Sequence, residues 1–187
     1  GPTGQDRRHN FQLSGIYELP FGKGKNMLTD GVGAAILGGW QINAIYSAYS
    51  GRPSRAAANG AQLNSAGSSQ YADCLGPVAK VGERTRWWGP ANLAQPTGVR
   101  FGTCGMNTLR GPGLHNVDMG LFRKFQITEK LDVQFRAEAF NISNSPHFSN
   151  PNSDISSNNF GVVTGLENRG VEGIDQRAFR LGIRLGW

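Results

Sequence analysis

Three histidines and two cysteines are the side chains of this sequence best suited to binding a metal or acting as nucleophiles. His9, His115 and His147 lie in separate segments, and no H-E-x-x-H or closely spaced histidine pair occurs. Cys74 and Cys104 are too far apart for the short cysteine pair of a zinc site. In an oxidising compartment they predict a disulfide, and the alternative is two unpaired loop thiols. No metal site is predicted.

The sequence contains no other recognised catalytic pattern. Asp132 and Glu138 share a parity on one predicted strand, which places them roughly 20 Å apart and too far for paired-carboxylate catalysis. The glycine-rich stretch GVGAAI (31–36) lacks the third glycine of a dinucleotide-binding loop and follows a predicted turn. No G-x-S-x-G elbow occurs. The sequence therefore predicts a protein that is not an enzyme and uses no cofactor.

Alternating apolar and polar residues are the main structural signal, and they predict an all-β fold of about five long antiparallel strands. The pattern is clearest in LDVQFRAEAF (131–140), where Leu131, Val133 and Phe135 face one way and charged residues the other. In the terminal segment, Leu181, Ile183 and Leu185 likewise share a parity. The predicted strands lie within 10–20, 38–51, 114–127, 131–140 and 177–187.

The connections between these strands are alternately short and long. Residues 21–31 and 128–130 form short turns, whereas 51–113 and 141–175 are long and show no sustained strand periodicity. Transmembrane β-barrels have this asymmetry, with short turns on one side of the membrane and long loops outside. The alternative is a soluble β-sandwich, although its connections are usually more balanced.

The stretch RTRWWGP (84–90) places two large aromatic side chains, Trp87 and Trp88, inside the first long loop. They could offer a stacking platform for a sugar or a siderophore. Packing of the loop against its own barrel is the favoured interpretation, because buried indoles more often serve that purpose.

Charge and hydrophobic content indicate which classes of partner and membrane segment the sequence excludes. The net charge is +6, but the basic residues are scattered and form no stripe with stacking aromatics, so no nucleic-acid partner is predicted. Only 38% of the residues are hydrophobic, and no apolar run approaches the ~20 residues of a membrane helix. The first residues, GPTGQDRRHNF, are typical of the middle of a longer protein.

Four stretches together resemble one family. They are DRRHNFQLSGIYELPFGKGK (6–25), NTLRGPGLHNVDMGLFRKF (107–125), EAFNISNSPHF (138–148) and the terminal FRLGIRLGW. They are similar to the C-terminal barrel end of TonB-dependent outer-membrane receptors, above all the large Oar-like type with an N-terminal carboxypeptidase-regulatory-like domain. The resemblance implies a bacterial outer-membrane location and a non-enzymatic role in uptake or adhesion.

The same resemblance assigns a role to the end of the last strand. Arg180, Gly182, Leu185 and Trp187 match the pattern that the barrel-assembly machinery reads in outer-membrane barrels. The whole chain, 1–187, is then one C-terminal barrel segment whose long loops face outside, with no plug domain.

About five strands cannot close a barrel, since the small barrels use about eight and the large transporters about 22. The isolated chain is therefore expected to have two open strand edges and to form a homo-oligomer or filament by edge pairing. In that form it is expected to be extracellular. A secreted β-rich module that binds a glycan or siderophore-like ligand through 51–113 is the alternative.

Overall fold

The computed structural model describes residues 1–63, 69–168 and 174–187. Residues 64–68 and 169–173, which belong to the two long predicted loops, lie outside the described residues. The chain divides into two compact units. The loop unit comprises Gly1–Asn10, Tyr49–Leu114 and Pro146–Arg169, and the sheet unit comprises Phe11–Ala48, His115–Ser145 and Gly170–Trp187.

Strands dominate both units. In chain order the helices and strands are β1 (Asn10–Glu18), α1 (Gly31–Leu37), β2 (Trp40–Tyr49), β3 (Pro53–Ser54), β4 (Ala57–Asn59), a 3-10 turn (Ala61–Leu63), β5 (Ser69–Tyr71), β6 (Asp73–Cys74), β7 (Lys80–Glu83), β8 (Arg86–Trp88), β9 (Leu93–Ala94), β10 (Leu109–Arg110), β11 (Leu114–Gln126), β12 (Asp132–Phe140) and β13 (Ala178–Gly186).

The sheet unit is built on one five-stranded sheet in the order β1-β2-β11-β12-β13. The pairs β11–β12 and β12–β13 are antiparallel. Each of the five strands lies within one of the five segments predicted from alternation, so the all-β prediction is confirmed.

The turn between β11 and β12 is closed by its own backbone. The amides of Ile127 and Thr128 donate to the carbonyl of Leu131, at 2.9 and 3.1 Å. The Thr128 hydroxyl accepts from the Leu131 amide at 3.0 Å. These bonds use the polar groups that a tight turn would otherwise leave unpaired.

The connection between β1 and β2 contains α1. Gly38, which follows the helix, lets the chain approach Gly22 closely, because a Cβ at position 38 would lie 2.7 Å from the Gly22 Cα. Among the described residues, no helix is long and apolar enough to cross a membrane.

The loop unit consists of short paired strands around a core of mostly small side chains. Its two-stranded pairs are β3–β10, β4–β5, β6–β9 and β7–β8. The buried cluster is Ala56, Ala58, Ala72, Trp88, Cys104 and Leu109. Strands of two to four residues are too short to show a period in the sequence, which is why 51–113 gave no strand signal.

Candidate functional site

One face of the five-stranded sheet is apolar and exposed. In the β12–β13 register, Leu181 lies opposite Ala137, Ile183 opposite Phe135 and Leu185 opposite Val133. Directly opposed residues point to the same face of a sheet. Leu181 and Ile183 are 77% and 73% exposed. A contiguous exposed apolar surface of this kind marks an interaction surface.

The same face continues across the other strands of the sheet. Met119, Leu121 and Phe125 of β11 lie opposite Ala139, Ala137 and Val133 of β12. Further along the sheet, the Trp40 and Phe135 rings pack edge to face with centroids 5.8 Å apart, and the Phe11 and Tyr46 rings are 6.1 Å apart. We call this surface the apolar face; its members are Phe11, Leu13, Tyr17, Trp40, Ile42, Ala44, Tyr46, Met119, Leu121, Phe125, Val133, Phe135, Ala137, Ala139, Phe179, Leu181, Ile183 and Leu185.

A shallow groove of about 340 Å³ crosses the apolar face. It lies over the small side chains of Ala137 and Ala139 and is bordered by Met119, Phe179 and Leu181. This lining suits a hydrocarbon chain and offers little to a polar substrate.

The opposite face of the sheet carries charged side chains that pair with one another. Lys124 lies 3.1 Å from Asp132, and Arg136 lies 3.0 Å from Glu138. The Arg136 guanidinium also lies over the Phe122 ring, 5.3 Å from its centroid. We call this the charged face. Partly exposed charges of this kind need water beside them.

Arg123 is a charged exception on the apolar face, opposite Phe135. Its guanidinium stacks over the rings of Phe125 and Trp40, 4.2 and 5.5 Å from their centroids. It also donates to the carbonyl oxygens of Ile36, at 2.5 Å, and Ala35. The alternation pattern indicated only that Arg123 interrupts the apolar face. Its hydrogen bonds could not be predicted, because the carbonyls it binds belong to α1, a helix that the sequence analysis did not predict.

In the loop unit, the predicted disulfide is present and joins Cys74 to Cys104, with the two Cα atoms 4.8 Å apart. Beside it, the Asp73 carboxylate accepts two hydrogen bonds from the Arg100 guanidinium, at 2.8 and 2.5 Å. The Thr103 amide donates a third at 3.0 Å. The Arg100 hydrogen bonds, opposed by burial of the carboxyl and assisted by the Thr103 amide, lower the pKa of Asp73 to about 2. No sequence motif predicted the ion pair between Asp73 and Arg100.

Trp87 and Trp88 both donate their indole N–H groups to the carbonyl of Arg110, at 3.0 and 2.9 Å. Trp88 is 2% exposed and belongs to the core of the loop unit, where its ring lies 6.1 Å from that of Phe160. The Trp87 ring is half-buried and lies under the Lys80 ammonium at 5.0 Å. These are packing contacts, and a ligand role for the pair stays a prediction.

His9 and His147 belong to the loop unit and His115 to the sheet unit, where its Nε2 lies 3.0 Å from the Ser145 hydroxyl. Within the described ranges, no group of three or more acidic, histidine or cysteine side chains is placed to hold a metal. Asp132 and Glu138 lie near opposite ends of β12. The GVGAAI stretch forms most of α1.

The proposed assembly-signal residues all lie at the end of the chain. Arg180, Gly182 and Leu185 belong to β13, and the exposed Trp187 follows it directly. By alternation, Arg180 and Gly182 share the charged face while Leu185 lies on the apolar face. Their role as a signal stays a prediction.

The sheet has long antiparallel strands, one exposed apolar face and one charged face. This is the architecture typical of transmembrane β-barrels. The chain belongs to the outer membrane beta barrel domain family, whose model matches residues 1–179. This membership assigns the chain to the outer membrane. Neither a curated protein nor a solved structure matches the chain significantly.

Proposed function

We propose that this chain supplies five strands to the barrel of a TonB-dependent outer-membrane receptor of the Oar-like, carboxypeptidase-regulatory-like type. The observation that carries the proposal is the two-sided sheet, with the apolar face toward lipid and the charged face toward the wet interior. Five strands are a part of such a barrel, since even small barrels use about eight. Residues 51–113 and 141–175 are then its outward loops.

The proposed role is non-enzymatic. Four charges of the charged face form two ion pairs, Lys124 with Asp132 and Arg136 with Glu138, and the three histidines lie in separate segments of the sequence. The two hydrogen-bonded tryptophans support a structural role for this part of the loop unit.

Two matched substitutions test which face meets lipid. Ile183→Arg places a charge on the apolar face, and Ile45→Arg makes the same change on the charged face, where Asp118 and Glu138 lie nearby. At the membrane midplane a lipid-facing arginine costs about 2–4 kcal/mol. We expect Ile183→Arg to weaken binding of the refolded chain to lipid vesicles and Ile45→Arg to leave that binding unchanged. Equal binding by both variants would contradict the proposal.

The end of β13 is proposed to be read by the barrel-assembly machinery. Its support is the resemblance of Arg180, Gly182, Leu185 and Trp187 to the pattern found in outer-membrane barrels. Photo-crosslinking of the chain, exported with a leader, should join it to that machinery, and Trp187→Ala should weaken the crosslink. Phe179→Ala, an aromatic truncation outside the pattern, serves as the control. A crosslink that responds equally to both changes would contradict the assignment.

A second candidate role is self-assembly into a homo-oligomer or filament. The sheet order leaves β1 and β13 as edge strands, each with a row of backbone groups available for pairing. Pairing of β13 of one copy with β1 of the next would be head-to-tail and would produce a ring or a filament. Electron microscopy of the purified chain tests this role. Dispersed monomers that bind glycans without detergent would instead favour the secreted binding module.

A further inference from the structure

The helix α1 is apolar and exposed although it lies in a short connection. Its sequence, GVGAAIL, contains no charged side chain. Val32 is 76% exposed and Ile36 is 59% exposed. Leu37, and Met27 and Leu28 before the helix, are exposed as well. A water-facing helix usually shows polar side chains on its outer side, and this one shows none.

The last carbonyls of α1 are hydrogen-bonded by side chains of the sheet. Trp40 donates its indole N–H to the Ile36 carbonyl at 3.0 Å. Arg123 donates to the Ile36 and Ala35 carbonyls, and the Gly38 amide bonds the Ala34 carbonyl at 3.0 Å. The last carbonyls of a helix have no partner within the helix and bond side chains, water or tighter-turn amides instead. Supplying them with donors from the protein is what a helix needs where water is scarce.

These contacts make α1 continuous with the apolar face. Arg123 and Trp40 both lie on that face, and Phe125, the second ring under the guanidinium, is the last apolar-face residue of β11 before the 127–131 turn. α1 therefore adjoins the turn end of the sheet. Aromatic rings and an arginine with a long aliphatic stem are the residues preferred where the hydrocarbon layer meets water.

We propose that α1, with Met27 and Leu28, lies in the plane of the lipid–water interface as a membrane anchor at the turn end of the sheet. Its partner is the lipid surface itself, and its apolar side chains enter the headgroup–acyl boundary. Arg123 is the positioning residue that holds the helix there. This proposal rests on the proposed function, because it needs the apolar face to meet lipid.

Site-specific fluorescence on the full chain in lipid vesicles tests the proposal. Because the native cysteines are joined to each other, a single introduced cysteine can carry an environment-sensitive NBD label. Three variants are compared: Val32→Cys on α1, Ile183→Cys on the apolar face, and Lys23→Cys at an exposed polar position of the same connection as α1. The vesicles contain phosphatidylcholine brominated either close to the headgroup or deep in the acyl chain.

We expect shallow bromines to quench the label at position 32, deep bromines to quench the label at position 183, and neither to quench the label at position 23. A label at position 32 that behaves like the one at position 23, while position 183 is still quenched, overturns the anchor and leaves the proposed function intact. Loss of quenching at position 183 overturns the proposed function itself.

A second pair of variants tests Arg123. Arg123→Gln removes the charge and the forked donor, whereas Arg123→Lys keeps the charge alone. We expect Arg123→Gln to reduce quenching at position 32 without changing quenching at position 183, and Arg123→Lys to have a smaller effect. Two results would overturn the positioning role. One is no change in quenching at position 32; the other is an equal change in quenching at positions 32 and 183, which indicates a general loss of structure.

Discussion

Asp73 is the residue whose ionisation the structure controls most clearly. Its carboxylate is held by Arg100 and by the Thr103 amide, which lower its pKa from 3.8 to about 2. A carboxyl group with a lowered folded-state pKa stabilises the fold fully above its ordinary pKa and loses that contribution as the pH falls through the folded-state value. The stabilisation by Asp73 is therefore complete above pH 3.8 and disappears toward pH 2.

Replacing Asp73 with asparagine should reveal this dependence. We expect Asp73→Asn to lower the melting temperature at neutral pH, and the difference from wild type to shrink as the pH falls from 3.8 to about 2. Thermal melts over that range measure it. Glu83→Gln, which removes a charge at an exposed position of β7, should show no comparable effect. A difference that is independent of pH would contradict the assigned cause.

Asn141 is a second residue whose importance comes from burial. It is fully buried, with a positive φ of 47°. Its side-chain amide donates to the carbonyls of Ser145 and Ile174, at 3.0 and 3.2 Å, and its side-chain oxygen accepts from the Ser145 amide at 2.9 Å. Alanine would remove the buried side chain that pairs these three backbone groups.

We therefore expect Asn141→Ala to destabilise the sheet unit by about 1–3 kcal/mol in denaturant unfolding. Asn144→Ala is the matched control, because Asn144 has a similar φ of 51° but is exposed. Equal losses in the two variants would assign the effect to backbone conformation and not to the buried hydrogen bonds.

At the scale of elements, the disulfide ties β6 to the segment that precedes β10. Cys104 is buried in the core of the loop unit, and the two cysteines are 30 residues apart in the chain. On the chain-entropy model, closing a loop of this length contributes about 3–4 kcal/mol.

Cys104→Ala should therefore open the loop unit to limited proteolysis within 51–113. Reduction of the wild-type chain should have a similar effect, since both treatments break the same covalent link. Alkylation without reductant, followed by mass spectrometry, should find neither native thiol modified. Labelling of both thiols in the untreated chain would contradict the bridge.

At the scale of the whole molecule, the proposal that copies associate through open strand edges can be tested by substitution. Ile16 lies on the edge strand β1, and Ile45 lies on the interior strand β2, both at charged-face parity. A lysine on an edge strand opposes pairing with another chain. We expect Ile16→Lys to shorten or abolish assemblies seen by electron microscopy and Ile45→Lys to have little effect. Equal assembly by both variants would contradict edge pairing.

The sequence by itself determined the five long strands and which side chains share a face. Alternation is a local property, so LDVQFRAEAF specifies its two faces without reference to any other segment. The cysteine pair was also readable, because two cysteines allow a single intramolecular disulfide.

The tertiary structure alone decided the features that join residues far apart in the chain. Arg123 and the Ile36 carbonyl are 87 residues apart, and Asn141 and Ile174 are 33 apart. The core of the loop unit gathers small residues from strands that are too short to have a period. Local sequence patterns do not predict these long-range contacts, because the contacts depend on how the turns and the sheet register bring distant segments together.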